Sequence, residues 1–329
     1  MREKAGHPVI SMHRIVQEKV KNGFDASNHN KAFGNALALV RKKYPAASVV
    51  QVPDMPEWDE YRKYTPHVLS LHRAFKASSM IKPSVELAEL LYDAGFGVWA
   101  CQMASSDGIE LLETAEAILD TLNQDPYCEL RAHIHSTLGN LLELMGATKR
   151  EECFHRRQES RRIRDKIFHH DENHKVRHIL LQNANNEYAI SLMDRDRFDE
   201  AGEIFEGCLQ IYREWDSEEV IPFEYAKYHH NMGLVLMSRG KYPEAIKYVR
   251  HAIDLIKRFS GKKWRYWQFQ FTLACIILQS GDEQAALALH LEILSARLEL
   301  YGKFDQSTSM SKYAVGTMYH HLGNLQTAT

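Results

Sequence analysis

The chain has 329 residues, 44% of them hydrophobic and 26% charged, which is the composition of folded protein and excludes a disordered chain. Its 41 basic and 43 acidic residues leave a net charge of −2, so the overall balance gives no reason to expect nucleic acid or an anionic membrane as partner. Five scattered cysteines without a CxxC pair fit reduced thiols better than a disulfide framework. The charged start and a longest apolar run of only about eight residues, around residues 271–278, fit neither a signal peptide nor a membrane span. A cytoplasmic protein is expected.

In the first quarter Pro45, Pro53, Pro56, Pro66 and Pro83 are expected to break the chain into short helices and extended connectors. From about residue 84 the pattern changes to helix after helix of ten to eighteen residues, with apolar positions three and four apart. One signature recurs there: a small residue in a first helix, a turn, then Ala in a second helix with a large apolar residue four later. Two weaker copies come first, Ala94-Gly95 with Val98, Gly108, Leu112 and Ala115, then Leu138-Gly139 with Leu142, Gly146 and a degenerate second helix near Phe154. Clearer copies follow at Tyr188-Ala189 with Ala201, Phe205 and Cys208, at Met232-Gly233 with Gly240, Ala245, Val249 and Ala252, and at Leu273-Ala274 with Gly281, Ala286, His290 and Ile293. A last copy, Val315-Gly316 with Gly323 and Ala328, meets the chain end. The second-helix alanines at 201, 245, 286 and 328 lie 44, 41 and 42 residues apart, giving a long-helix repeat near 42. Gly or Ala lets two helices approach closely, and the large residue fills the gap to the next pair.

This pattern resembles the long tetratricopeptide repeats of the kinesin-light-chain type, which implies an all-α, right-handed superhelical solenoid of helix pairs. Residues 11–17, Ser-Met-His-Arg-Ile-Val-Gln, are similar to the motif that ends the winged helix of fungal NB-ARC and related signalling ATPases, and Pro66-His67-Val68-Leu69 resembles their junction into the first repeat. The resemblance implies a winged-helix remnant over 1–22, a helical connector over 23–80 and a repeat array over 81–329 whose last repeat is incomplete. It also implies that the chain is either a piece of such a protein or an adaptor that meets a partner, or a second copy, through an uncapped C-terminal end. The ATPase function does not carry over, because no GxxxxGK[ST] loop occurs.

Catalytic and metal signals are weak. His170, His174 and His178 have the spacing of one helical face, but stand among Lys and Arg without a cysteine and read as a solvated linker. His133/His135, His229/His230 and His320/His321 fall on different faces of their helices. No GxSxG elbow is present, and Glu113, Glu116, Glu151 and Glu152 read as solvent-facing. No enzyme activity, metal or cofactor is expected. Arg156, Arg157, Arg161, Arg162 and Arg164 on one helix support an alternative reading as a nucleic-acid-associated regulator, diluted by neighbouring acids; Trp264 and Trp267 have core spacing.

The leading expectation is an adaptor that holds a protein or peptide. In a helix-pair stack the first helices line a concave surface, and in the register above their inward positions carry His133 and Asn140, Asn183 and Asn186, Lys227, His230 and Asn231, and Gln268. Side-chain amides there can bond both the N–H and the C=O of an extended ligand. Lys227 and Asn231 resemble the first half of a chaperone-type carboxylate clamp, but Thr272, Met310 and Ala314 stand where its remaining cations and amides belong, which disfavours a terminal carboxylate as ligand.

Overall fold

The structure is a computed structural model that describes residues 2–4, 7–9, 25–47, 58–101, 103–126, 128–169 and 175–322. The described residues form one short antiparallel ladder, Arg2–Lys4 against His7–Val9 with Arg2 opposite Val9, and thirteen α-helices. The helices are α1 (Ala26–Arg41), α2 (Trp58–Lys76), α3 (Val85–Ala100), α4 (Ser105–Thr121), α5 (Glu129–Leu144), α6 (Arg150–His169), α7 (Lys175–Met193), α8 (Phe198–Trp215), α9 (Pro222–Ser238), α10 (Tyr242–Ser260), α11 (Trp264–Gln279), α12 (Glu283–Tyr301) and α13 (Gln306–His321). Compact packing divides the chain between Asp125 and Pro126.

In the first unit α1 is tied to the loop ahead of α3 through Asn30, which donates to the Met80 carbonyl and accepts from the Lys82 N–H at 2.8 Å. The buried Asp93 of α3 accepts from Arg41 and from the Ala47 N–H, which anchors the segment that leaves α1. Pro45 and Pro83 lie in the connectors after α1 and before α3, as expected, and Pro53 and Pro56 lie outside the described residues. Pro66 lies inside the nineteen-residue α2, because a face carrying the fully buried Tyr61 and Val68 stabilises the helix by more than one missing N–H bond costs.

The second unit is a stack of helix pairs in chain order: α5/α6, α7/α8, α9/α10 and α11/α12, followed by α13. The repeat signature is its core. Ala189, Leu192, Ala201, Phe205, Ala245, Val249, Ala252, Ala274 and Ile293 are all at most 1% exposed and belong to one continuous cluster. Small residues are required where first and second helices touch. A Cβ at Gly139 would stand 2.7 Å from Cγ of Arg157, and one at Gly233 would collide with Val249 and lie 3.3 Å from the Ala245 carbonyl oxygen. The two copies that look weakest in the sequence are complete pairs, α3/α4 in the first unit and α5/α6 in the second. The second helix near Phe154 runs for twenty residues and turns Cys153, Arg157, Ser160, Ile163 and Arg164 inward.

Turns within pairs follow the C-terminal capping geometry of helices. The Lys241 N–H bonds to Leu236 O at 3.0 Å across Gly240 (φ 70°), and the Asp282 N–H to Ile277 O at 3.3 Å across Gly281 (φ 96°). In α7/α8 the left-handed position is held by Asp196 (φ 60°), with the Arg197 N–H bonding to Leu192 O at 3.0 Å.

Candidate functional site

The residues expected on the first helices α5, α7, α9 and α11 fall into linked and separate groups. On α7 and α9, five of them come together. Lys227 donates to Asn183 Oδ1 and pairs with Glu224, its ammonium 5.0 Å from the Phe223 ring centroid. Asn231 donates through Nδ2 to Asn186 Oδ1 at 2.8 Å. His230 bonds through Nδ1 to Asn231 Oδ1 at 3.0 Å and through Nε2 to the Thr272 hydroxyl of α11 at 2.9 Å, with its ring stacked on Phe269 at 4.1 Å. Three consecutive first helices are thereby laced by polar side chains.

Asn140 belongs to a second group, donating to Glu187 of α7 at 3.4 Å and accepting from Arg157 of α6 at 3.2 Å. Ser136 donates to the same Glu187 at 2.7 Å. His133 lies apart, 3.1 Å from the Arg164 guanidinium through Nδ1. Gln268 accepts through Oε1 from Arg265 of its own helix at 3.2 Å.

These side chains are less open than a solvated groove would make them. His133, Asn186, Lys227, His230 and Asn231 are buried, whereas Asn140, Asn183 and Gln268 are half-buried. Burial has an electrostatic consequence. It pushes the His133 imidazole down to about 3, with the Arg164 charge adding to the effect, and the His230 imidazole down to about 4, so both rings are neutral near pH 7.

The hydrogen bonds also fix which way the amides face. An ammonium or guanidinium can only donate, so the Asn183 and Gln268 atoms bound to Lys227 and Arg265 are their carbonyl oxygens. Asn183 and Gln268 therefore each present an NH2 group that bonds to no other described residue. Asn186 accepts from Asn231, a bond between two amides that does not by itself fix which way either faces. Sequence reasoning places these residues and Lys227 on the first helices, but not the bonds from Lys227 and Arg265 that orient Asn183 and Gln268.

The arginine-rich helix α6 is engaged within the chain. Arg157, 1% exposed, donates to Glu143 at 2.6 Å and to Ser191 at 3.0 Å; Glu143 and further acidic neighbours outweigh its desolvation and keep it firmly charged. Arg156 meets His135 at 3.2 Å, Arg161 donates to Asn185 at 2.8 Å, Arg162 pairs with Glu159, and Arg164 meets His133. Trp267 is a core residue, as its spacing predicts, whereas Trp264 is only half-buried, with the Arg265 guanidinium 4.0 Å from its ring centroid. Of the spaced histidines, His170 and His174 lie outside the described residues, and His178 is set between the rings of Phe168 and Trp215 at 4.1 and 5.6 Å. The motif at residues 11–17 also lies outside the described residues.

A cluster that the sequence does not announce lies at the α9/α10 pair. Glu218, on the loop entering α9, bonds through Oε1 to His229 Nε2 of α9 at 3.1 Å and through Oε2 to His251 Nε2 of α10 at 2.9 Å. Burial raises the Glu218 carboxyl, but the bonds to both histidines outweigh it and leave the group below its usual range; burial lowers the His229 imidazole. No helix among the described residues is long and apolar enough to cross a membrane.

A tetratricopeptide-repeat family model matches residues 228–262, which cover most of α9 and all of α10. No curated protein matches the chain. Among solved structures, NprR in complex with its cognate peptide NprX is similar at 13% identity and TM-score 0.64, over 95% of this chain and 80% of that one. The apo form of the quorum sensor NprR from B. thuringiensis is similar at 13% identity and TM-score 0.55, over 95% of this chain and 88% of that one. At these identities the likeness shows the fold, a tetratricopeptide-like stack of helix pairs.

Proposed function

We propose that this chain is a non-catalytic array that binds a peptide or an extended protein segment along its first helices, with Asn183, Asn186 and Gln268 as its contacts to the ligand backbone. The carrying observation is the orientation of the Asn183 and Gln268 amides: each has its oxygen bound by a cation of the chain, leaving an NH2 group as a donor for ligand carbonyls. Lys227, His230 and Asn231 support them by holding α7, α9 and α11 in register, while Asn140 ties α5 to α7 and His133 ties α5 to α6. The fold shared with NprR, which is solved with its cognate peptide, supports the same reading. Burial pushes the Cys101 thiol up to about 11 and the Cys208 thiol up to about 12, which speaks against these two as nucleophiles near pH 7. The bonds of Arg157, Arg161 and Arg164 to partners in the chain weigh against the nucleic-acid alternative. The finer reading, a sensor array of the NB-ARC type, rests on the resemblance of residues 11–17 together with the repeats.

A phage-displayed library of random seven-residue peptides, selected on the purified chain, tests the proposal. Enriched peptides should bind the Asn183→Ala/Gln268→Ala double variant about ten-fold or more weakly, as expected for two lost hydrogen bonds of roughly 1 kcal/mol each. Equal affinity for both proteins, or no enrichment on the unaltered chain, would refute it.

A further inference from the structure

The cluster at the α9/α10 pair has the composition and placement of a metal site, and it stands apart from the amide row. Its three members come from three elements. The loop after α8 is fixed by the Tyr225 hydroxyl, which donates to the Asp216 carbonyl at 3.0 Å, and by the Ser217 carbonyl, which accepts from the Val220 and Ile221 N–H groups at 3.1 Å. That loop sets Glu218 over the junction of the two helices. His229 is held in α9 by ring contacts with Tyr228 at 5.0 Å and Tyr248 at 5.5 Å, and it meets His251 edge to face at 4.4 Å.

We infer that Glu218, His229 and His251 form a binding site for one divalent transition ion of the Zn2+ class. One imidazole nitrogen of each histidine and a carboxylate oxygen of Glu218 all lie within 4.8 Å of one another. Around a tetrahedral ion with bonds of about 2.0–2.2 Å, ligand atoms stand roughly 3.3–3.5 Å apart. The two imidazoles bond to different oxygens of Glu218, at 3.1 and 2.9 Å, so binding an ion requires a small rotation of the carboxylate and a settling of the ring nitrogens to that spacing. Imidazole with carboxylate selects zinc, cobalt or nickel over calcium and magnesium, which prefer all-oxygen shells. The Glu218 and His251 side chains are 31% and 40% exposed, so the ion has an entry path and an open fourth position for water or another donor. Bound there, it joins the entry loop to both helices of one repeat.

The experiment uses the full chain after chelator treatment and dialysis, titrated with ZnCl2 by calorimetry and with CoCl2 by visible absorption. One saturable equivalent is expected, with the absorption bands of four-coordinate Co2+ and a rise in melting temperature on zinc addition. His251→Ala and the near-isosteric Glu218→Gln should each weaken this uptake ten-fold or more and abolish the thermal shift, while helical circular dichroism is retained. The chain has 18 histidines that can hold zinc loosely, so the difference between the unaltered protein and these variants is the decisive reading. Absence of a saturable equivalent in the unaltered chain, or the same equivalent in Glu218→Gln and His251→Ala, would overturn the assignment. MgCl2 or CaCl2 competing at equal concentration would do the same.

Discussion

Asp196 shows how one residue is constrained by the turn it occupies. Gly240 and Gly281 hold the left-handed position at the end of a first helix, where the absence of Cβ removes the steric penalty. Asp196 holds the same position in α7/α8 at φ 60°, a conformation that aspartate tolerates but does not prefer. Asp196→Gly should therefore stabilise the protein by roughly 0.5–1 kcal/mol, since relief of the strained φ outweighs glycine's extra freedom in the unfolded chain. Gly240→Ala should destabilise it by about 1–2 kcal/mol. Urea unfolding followed by circular dichroism reads both; a destabilised Asp196→Gly would show that the aspartate side chain contributes more than its backbone costs. The turn signature reads easily at Gly240 and Gly281, while at Asp196 only the repeat spacing marks the position.

At the scale of helices, contact between the members of a pair depends on small residues. Gly233 faces Val249 and the carbonyl of Ala245, so a methyl group there must move backbone as well as side chain. Gly233→Ala is expected to cost about 1–3 kcal/mol, visible as a lower urea midpoint with an unchanged slope. Gly139→Ala meets the flexible stem of Arg157 first and should cost less. The ordering of the two variants is the test, and a Gly139→Ala more damaging than Gly233→Ala would contradict the packing argument. The polar lacing of first helices follows a different logic. Asn186, Asn231, His230 and Thr272 form a continuous chain of hydrogen bonds across α7, α9 and α11, and truncating a central member leaves buried partners unsatisfied. Amide residues at groove positions read equally well as ligand contacts or as interhelical ties, and only the partners distinguish Asn183 and Gln268 from Asn231.

Across the whole molecule, the buried neutral histidines set a pH dependence. His230 is held near 4 and His133 near 3 in the folded chain, below the unfolded value of about 6.5. Because the folded imidazole resists the proton, the unfolded chain binds more protons as pH falls, and stability is lost on acidification. Full stability is expected above about pH 6.5, with a progressive fall of the melting temperature from there to about pH 4. His230→Gln, which can keep a bond to Thr272 or Asn231 without titrating, should flatten that slope. Melting curves between pH 4 and 8 check this, and a slope unchanged by His230→Gln would place the acid sensitivity elsewhere.

What the sequence determined by itself was the periodic part of the protein. Small and large apolar residues recurring near every 42 positions can be buried together only by stacking helix pairs, so Ala201, Ala245 and Ala286 mark a core that needs no knowledge of the fold's partners. Local sequence also misled in instructive ways, as when Pro66 was absorbed by a helix whose buried face outweighs one lost bond. What only the tertiary structure decided was polar and non-periodic. The orientation of the Asn183 and Gln268 amides, the internal engagement of the α6 arginines, and the meeting of His229 with His251 and Glu218 each join residues on different elements or fix an atom's direction. Hydrophobic burial is proportional to area and leaves a repeating trace in the sequence. A hydrogen bond depends on direction between particular atoms, and its partners become neighbours only once the helices have packed.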